Sequence, residues 1–395
     1  MSKSLFSYLT TDSILYAIVL FLIIWGTLQF NKPYIPFSSS ILFLSSLLIF
    51  CRKKNKTREK NDIFICLIRI IILGGILFVL NSSHGERVWA FFQIFIIAFL
   101  LEMASDEDLK LSKFLFVLYI ISNCCLIFYE RKTMTVLLWD SDSYAMNRND
   151  ITDLNVFRAS GFTGHPVLGG FLLSVELAFI QMSRLKPLLK YAFTIILFFA
   201  LLCINSRFNI VLSAITSLYL FKDAIISKRN NMLKIIIVLV AFIFFYDLII
   251  HTDFGGRLIN HESGYNDDST MARIEVLSFA DYLSWNQLLW GDFELSEYLM
   301  NVMGLAGIEN GYISILLIYG IIFGSILIVL LTIYQWKLLS VYPKEQKIIL
   351  FSLFIIIANT NPHIANSIPW VYWIVSFYLF RPTTEKGQHL KSDYT

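Results

Sequence analysis

Four short stretches of this chain hold residue types that bind anions or move protons. In Arg158-Ala159-Ser160-Gly161-Phe162-Thr163-Gly164-His165-Pro166, two glycines permit tight backbone turns and Pro166 is placed to open a helix. A helix start with free N–H groups beside an arginine is an anion site, and His165 adds a base or a donor. The other reading of His165 is a hydrogen-bonded cap residue. Asn205-Ser206-Arg207-Phe208-Asn209 lies between two apolar runs, where a charge is costly and is usually paired or functional. The other reading of Arg207 is an interfacial anchor that reaches out to water. Arg273 follows Asp267-Asp268. That acidic pair suits a turn or cap better than a metal, and no His, Asp or Glu spacing in the chain makes a metal site. Finally, Ile308-Glu309-Asn310-Gly311-Tyr312 opens an apolar run. Glu309 there is either an acid favoured by the helix dipole or a general base near the arginines. Each stretch says little alone; three arginines and one carboxylate at junctions between apolar runs and loops say more.

The elements that must position these residues are apolar. Of 395 residues, 56% are hydrophobic and only 15% charged, with a mean hydropathy of +0.65; soluble domains run near 45–50% and about 25%. The charges cluster between long apolar runs. The chain therefore reads as one all-α, polytopic integral membrane domain over 1–395, with about twelve membrane-spanning helices. The spans are placed near 12–30, 38–51, 63–80, 88–103, 113–129, 166–182, 190–204, 208–222, 232–250, 311–335, 348–359 and 370–381. Those at 190–204 and 208–222 also read as one element broken at Asn205-Ser206-Arg207. Two larger loops remain, 130–165 and 251–310. Within the second, 271–290 reads as an amphipathic helix with Ile274, Leu277, Ala280 and Leu283 on its apolar face and Asp268 or Ser269 as its N-cap. The first apolar run, Ile14 to Phe30, is long enough to span and has no small-residue cleavage site after it, so no cleavable signal peptide is expected.

Positive charge orients the spans. With both termini cytoplasmic, 22 of the 32 basic residues fall on the inner side and nine on the outer, with Arg69 inside a span. The nine are Lys32, Arg87, Arg131, Lys132, Arg148, Arg158, Arg207, Arg257 and Arg273. Seven are arginine, although the chain has 13 Arg and 19 Lys. Arginine pairs bidentately with phosphate and carboxylate, so an outer face that keeps arginine implies anionic ligands, or else pairing with loop acids. The net charge of +3 gives no reason to expect nucleic acid. The five cysteines lie in or at the ends of apolar runs and read as packing residues.

In this order and on this side, the motifs resemble the O-antigen polymerase and O-antigen ligase group of bacterial polysaccharide enzymes. The resemblance covers about 155–335 and rests on Arg158, Gly161, His165 and Pro166; on Ser206-Arg207; on Arg273 and Gly291; and on Glu309-Asn310-Gly311-Tyr312 with Gly320. It implies a GT-C-like membrane glycosyltransferase of the bacterial inner membrane that needs no cofactor. Such an enzyme polymerises O-antigen or capsule repeat units on undecaprenyl pyrophosphate at the periplasmic face. Arg158, Arg207 and Arg273 would hold the pyrophosphate and Glu309 would activate the acceptor hydroxyl. His165, Asn310, Tyr312 and His261 would contact substrate. Glu309 stands where the ligases usually have a histidine, which favours a polymerase; His261 could take that histidine's role. The partners implied are the lipid-linked oligosaccharide, the bilayer, and candidate accessory proteins such as a chain-length regulator and a flippase. The alternatives are an O-antigen ligase acting on lipid A-core, a lipid-linked oligosaccharide flippase or other transporter, and a non-catalytic assembly subunit.

Overall fold

A computed structural model describes residues 10–27, 62–81, 85–138, 157–220, 274–303, 308, 310–360, 362–365 and 367–382. The expected spans at 38–51 and 232–250 lie outside them, as do Arg273, His261, Glu309 and the proposed caps Asp268 and Ser269. Most of the described residues are helical, and none of them forms a strand. Their α-helices are α1 (Thr11–Thr27), α2 (Asp62–Leu80), α3 (Gly85–Glu102), α4 (Lys110–Thr133), α5 (Pro166–Met182), α6 (Pro187–Ile204), α7 (Arg207–Leu220), α8 (Trp285–Trp290), α9 (Leu295–Met303), α10 (Gly311–Leu338), α11 (Lys344–Ala358) and α12 (Ser367–Phe380). Four of these, α2, α4, α6 and α10, are long and apolar enough to cross a membrane, and several others are apolar but shorter.

α5 is the hub. Every residue from Pro166 to Met182 except Val167 is buried, as expected of a helix that is apolar all round. It packs on α6, α7, α11 and α12. α12 is its partner in the centre, with the Trp373 and Phe377 rings stacked and both edge-on to Phe179 of α5. α1, α2, α3, α4 and α10 complete the surround, α2 against α3 and α10, and α1 against α4.

α7 runs parallel to α5. Gly170 leaves room for Asn209, and a Cβ there would collide with its amide. Ser213 donates to Ser174 at 2.8 Å, and Gln181 donates to Ser217 at 2.8 Å. Small residues and interhelical hydrogen bonds of this kind hold helices together where apolar burial cannot discriminate between neighbours. This register settles the choice left open at 205–207. α6 and α7 are separate, antiparallel helices, because Asn205 takes the left-handed conformation (φ 56°) and its N–H caps α6 through Leu201 and Leu202.

The two ends of the bundle differ. At one end Lys337 pairs with Asp62 at 3.1 Å, Arg381 lies 3.7 Å from Glu102, and Tyr219 donates to Glu345 at 2.7 Å. This is the lysine-rich end. The opposite end carries Arg131, Arg158 and Arg207 and the loop that precedes α5.

The segment 274–303 departs from the single helix expected over 271–290. It forms a 3-10 turn (Val276–Tyr282), then extended Leu283, then α8, whose N-cap Ser284 forms a capping box with Gln287. Its buried side is Val276, packed with Leu295, Leu299 and Leu317. Ile274 and Leu277, on the expected apolar face, are exposed. The tighter 3-10 rotation explains the shift of face, since side chains there repeat every three residues rather than every 3.6.

Candidate functional site

Among the described residues, the loop before α5 at the arginine end is held by several side chains of another helix. Gly161 (φ 56°) and Gly164 (φ 65°) turn it back on itself around a single 3-10 turn, Gly161–Thr163. Its backbone does not hydrogen-bond to itself alone. Glu130, in the last turn of α4 and fully buried, accepts from Ser160 N at 2.7 Å and Gly161 N at 2.8 Å through one carboxylate oxygen, and from Leu137 N at 3.3 Å through the other. Asn123, two turns back on the same helix, accepts from Phe162 N at 2.9 Å. Arg131 donates to Phe157 O at 2.7 Å, and Ala159 N donates to Cys203 O at 3.3 Å. The loop thus follows α4 inward from Glu130 to Asn123, about 10 Å along its axis. Backbone at that depth is tolerated only when its polar groups are satisfied by protein, and these side chains satisfy them.

His165 is the N-cap residue of α5 and uses its carbonyl, not its side chain, to do so. That carbonyl accepts from Gly169 N at 2.8 Å and from the Thr163 hydroxyl at 3.1 Å. The imidazole makes no capping bond, so the cap reading holds for the backbone only. Gly169 packs against Thr163 and Ile204, and Gly170 against Ser206 and Asn209. The first turn of α5 therefore sits between the Arg158–His165 loop and the α6–α7 reversal. Arg158 and His165 are thus carried by the segment on one side of that turn and Arg207 by the segment on the other. Arg158 and Arg207 are both half-buried, and Arg207 is the first residue of α7.

Asn310 and Tyr312 stand at the head of α10. The Asn310 carboxamide caps that helix, accepting from Tyr312 N and Ile313 N at 3.1 Å each. Tyr312 is half-buried. α10 is not continuous. Gly320 (φ 72°, ψ 166°) breaks it into a shorter half-helix on the Gly311 side and a longer one on the Leu338 side. The chain at Gly291 (φ 72°, ψ 173°) fits into that break, with Asp292 N donating to Leu317 O at 2.9 Å. A Cβ on either glycine would strike the other segment's backbone, and their dihedrals lie in a region essentially reserved for glycine. Gly291 and Gly320, two of the glycines quoted for the family resemblance, are therefore in mutual contact.

Sequence reasoning missed Glu130 and Asn123 as holders of the loop. The signal was a Glu130-Arg131 pair closing an apolar run and a lone Asn123 within it; neither showed what they would bind. Glu176 is another buried acid, about 15 Å along α5. Neither of its carboxyl oxygens has a hydrogen-bond partner among the described residues. It lies within electrostatic reach of Tyr119 and Cys124 on α4, and Tyr119 shares a short hydroxyl–hydroxyl hydrogen bond with Tyr372 of α12. Among the described residues no cluster of His, Cys, Asp and Glu is arranged to hold a metal ion.

Chemically, the junction offers two guanidinium groups, an imidazole and a helix start, above a bundle of apolar helices. Arginines, an imidazole and a helix start are groups that can pair with an anion. The described residues define an all-helical protein in which four helices are long and apolar enough to cross a membrane. No protein-family model matches the chain, and no curated protein matches it.

Proposed function

We propose that this protein is a membrane glycosyltransferase of the bacterial inner membrane, a polymerase of O-antigen or capsule repeat units. It would act at the periplasmic face, which is the arginine end of the bundle. The observation that supports the reading is the packing of the 158–165 loop and of the α6–α7 reversal, the segments that carry Arg158, His165 and Arg207, against the first turn of α5, with the loop anchored by Glu130 and Asn123 of α4. A lipid pyrophosphate needs a site of this kind, with its charges at the edge of the hydrocarbon and its chain below. In the reaction, the bond from the donor sugar's anomeric carbon to the pyrophosphate oxygen breaks. A new bond forms from that carbon to a hydroxyl oxygen of the incoming lipid-linked unit. The electron pair leaves on undecaprenyl pyrophosphate, where Arg158, Arg207 and Arg273 stabilise the developing charge. The hydroxyl proton passes to Glu309. Because the donor is already activated, no nucleotide or cofactor is required.

The test is the surface polysaccharide of a gene-deletion strain, resolved by length and complemented with wild type or Arg207→Ala. Cores bearing one repeat unit, restored to long chains by wild type but not by Arg207→Ala, support the proposal. Bare cores, with long chains retained on the lipid carrier, would instead identify a ligase. An unchanged profile would end the reading.

A further inference from the structure

Glu176 sits in the hub helix α5, about 15 Å from its start and so near the middle of a roughly 30 Å hydrocarbon core. It is fully buried, and among the described residues neither carboxyl oxygen has a hydrogen-bond partner. The glycosyl transfer proposed above makes no use of it. A charge at that depth is costly without a partner, and acids kept inside membrane helices commonly mark the path of a proton or an ion. Glu176 does not belong to the polar contact between α5 and α7. Gly170, Ser174 and Gln181 share the face that meets Asn209, Ser213 and Ser217, whereas Glu176, two residues after Ser174, points to the other side of α5.

On that side α4 and α12 supply the groups that face it. Tyr119 and Cys124 of α4 are within its electrostatic reach, and the Tyr119 hydroxyl is hydrogen-bonded to that of Tyr372 on α12. Ser376, one turn along α12 from Tyr372, is fully buried, and its hydroxyl has no partner among the described residues. α6 adds the Cys203 thiol beside Cys124. The titratable residues of α7 and α11, which are Arg207, Tyr219, Lys344, Glu345 and Lys347, lie at the ends of those helices. Arg158 and His165 precede the start of α5. The carboxyl therefore faces hydroxyls and thiols. A metal cation needs several oxygen ligands, and no acidic or other ligating cluster is arranged for one among the described residues. A proton needs only the carboxyl and a hydroxyl to pass it on. We propose that Glu176 is a proton-binding site inside the bundle, served by the Tyr119–Tyr372 hydroxyls, and that its charge state governs how tightly α4, α5 and α12 pack. On release, the carboxyl proton passes to a phenol oxygen as that phenol gives its own proton onward to solvent, so both phenols end neutral. Tyr119 links the site to the loop at 157–165, because the Phe162 ring stacks on it at 5.5 Å. The inference does not depend on the polymerase reading.

The test uses the full-length protein in nanodiscs and dicyclohexylcarbodiimide, an apolar reagent that attaches to protonated carboxyls in apolar surroundings, with the labelled peptide mapped by mass spectrometry. Glu176 should be labelled, and above a single midpoint the labelling should fall roughly tenfold per pH unit, as one proton leaves. No label on Glu176, or a label that does not change with pH, would overturn the proposal. Suppression by sodium chloride but not by choline chloride at constant pH would show a metal-cation site instead and overturn the proton assignment. The melting temperature tests the link to packing. Loss of the proton leaves an unpaired charge in the core, so wild type should melt lower as pH rises through the labelling midpoint. Glu176→Gln, neutral at every pH, should lack that fall. The same pH dependence in both proteins would overturn the link, and if the variant does not fold, the labelling of wild type still decides whether the site binds a proton.

Discussion

The loop at 157–165 and the segment at 274–303 both read from sequence as outer connections between spans, yet they are held by opposite means. The first is fixed by polar side chains on a distant helix: Glu130, Asn123 and Arg131 of α4 take or supply its backbone hydrogen bonds. The second is fixed by apolar burial of Val276, Leu295 and Leu299 and by the fit of Gly291 into the break at Gly320. The difference has a functional sense. A polar anchor fixes individual atoms of a loop, as the proposed site would require to within about 0.5 Å. An apolar anchor sets a surface, and leaves Trp285 and Trp290 exposed in the manner of residues that meet a membrane interface.

The contrast predicts a graded series of effects. Glu130→Ala should be the most damaging change, because it leaves three backbone N–H groups without their acceptor; we expect a loss of about 3–5 kcal/mol and no complementation. Glu130→Gln, which keeps an acceptor oxygen, should recover part of the melting temperature in detergent. Equal melting of Glu130→Ala and wild type would show that the loop does not depend on this anchor. Gly320→Ala should cost about 2–4 kcal/mol, since the new Cβ meets the Leu289 carbonyl and the backbone cannot easily keep its dihedrals. A stable Gly320→Ala protein with an unbroken α10 would remove the second anchor from the account. Ser284→Ala removes only the cap of α8 and should cost about 1 kcal/mol, read as a small drop in melting temperature with activity kept. Lys337→Ala, at the lysine-rich end, breaks an exposed ion pair with Asp62 and should change stability by less than about 0.5 kcal/mol.

The same contrast explains what could be read from the sequence. Spans such as Asp62–Leu80 and Pro187–Ile204 were legible because composition and length alone mark them. The start of α5 at Pro166 was legible because proline at the first helical position is a local signal. The anchoring of Ser160 and Gly161 by Glu130 was not, since the partners are thirty residues apart and nothing local to either one names the other. The shape of 274–290 was misread for a different reason. Ile274, Leu277 and Leu283 fit a helical period, but the chain winds as a 3-10 turn there and buries Val276 instead. Gly291 and Gly320 could be picked out along the chain, while their contact across the break in α10 is visible only in three dimensions. Arg273, His261 and Glu309 lie outside the described residues.

The most direct measurement is reconstitution of the purified protein in proteoliposomes with a single lipid-linked repeat unit as the only substrate. The account predicts a ladder of longer lipid-linked glycans from wild type, with one undecaprenyl pyrophosphate released per bond formed, and no ladder from an Arg207→Ala protein that melts like wild type. A ladder of undiminished length from Arg207→Ala would contradict the place given to the arginine junction, and the absence of any chain growth from folded wild type would contradict the proposed polymerase.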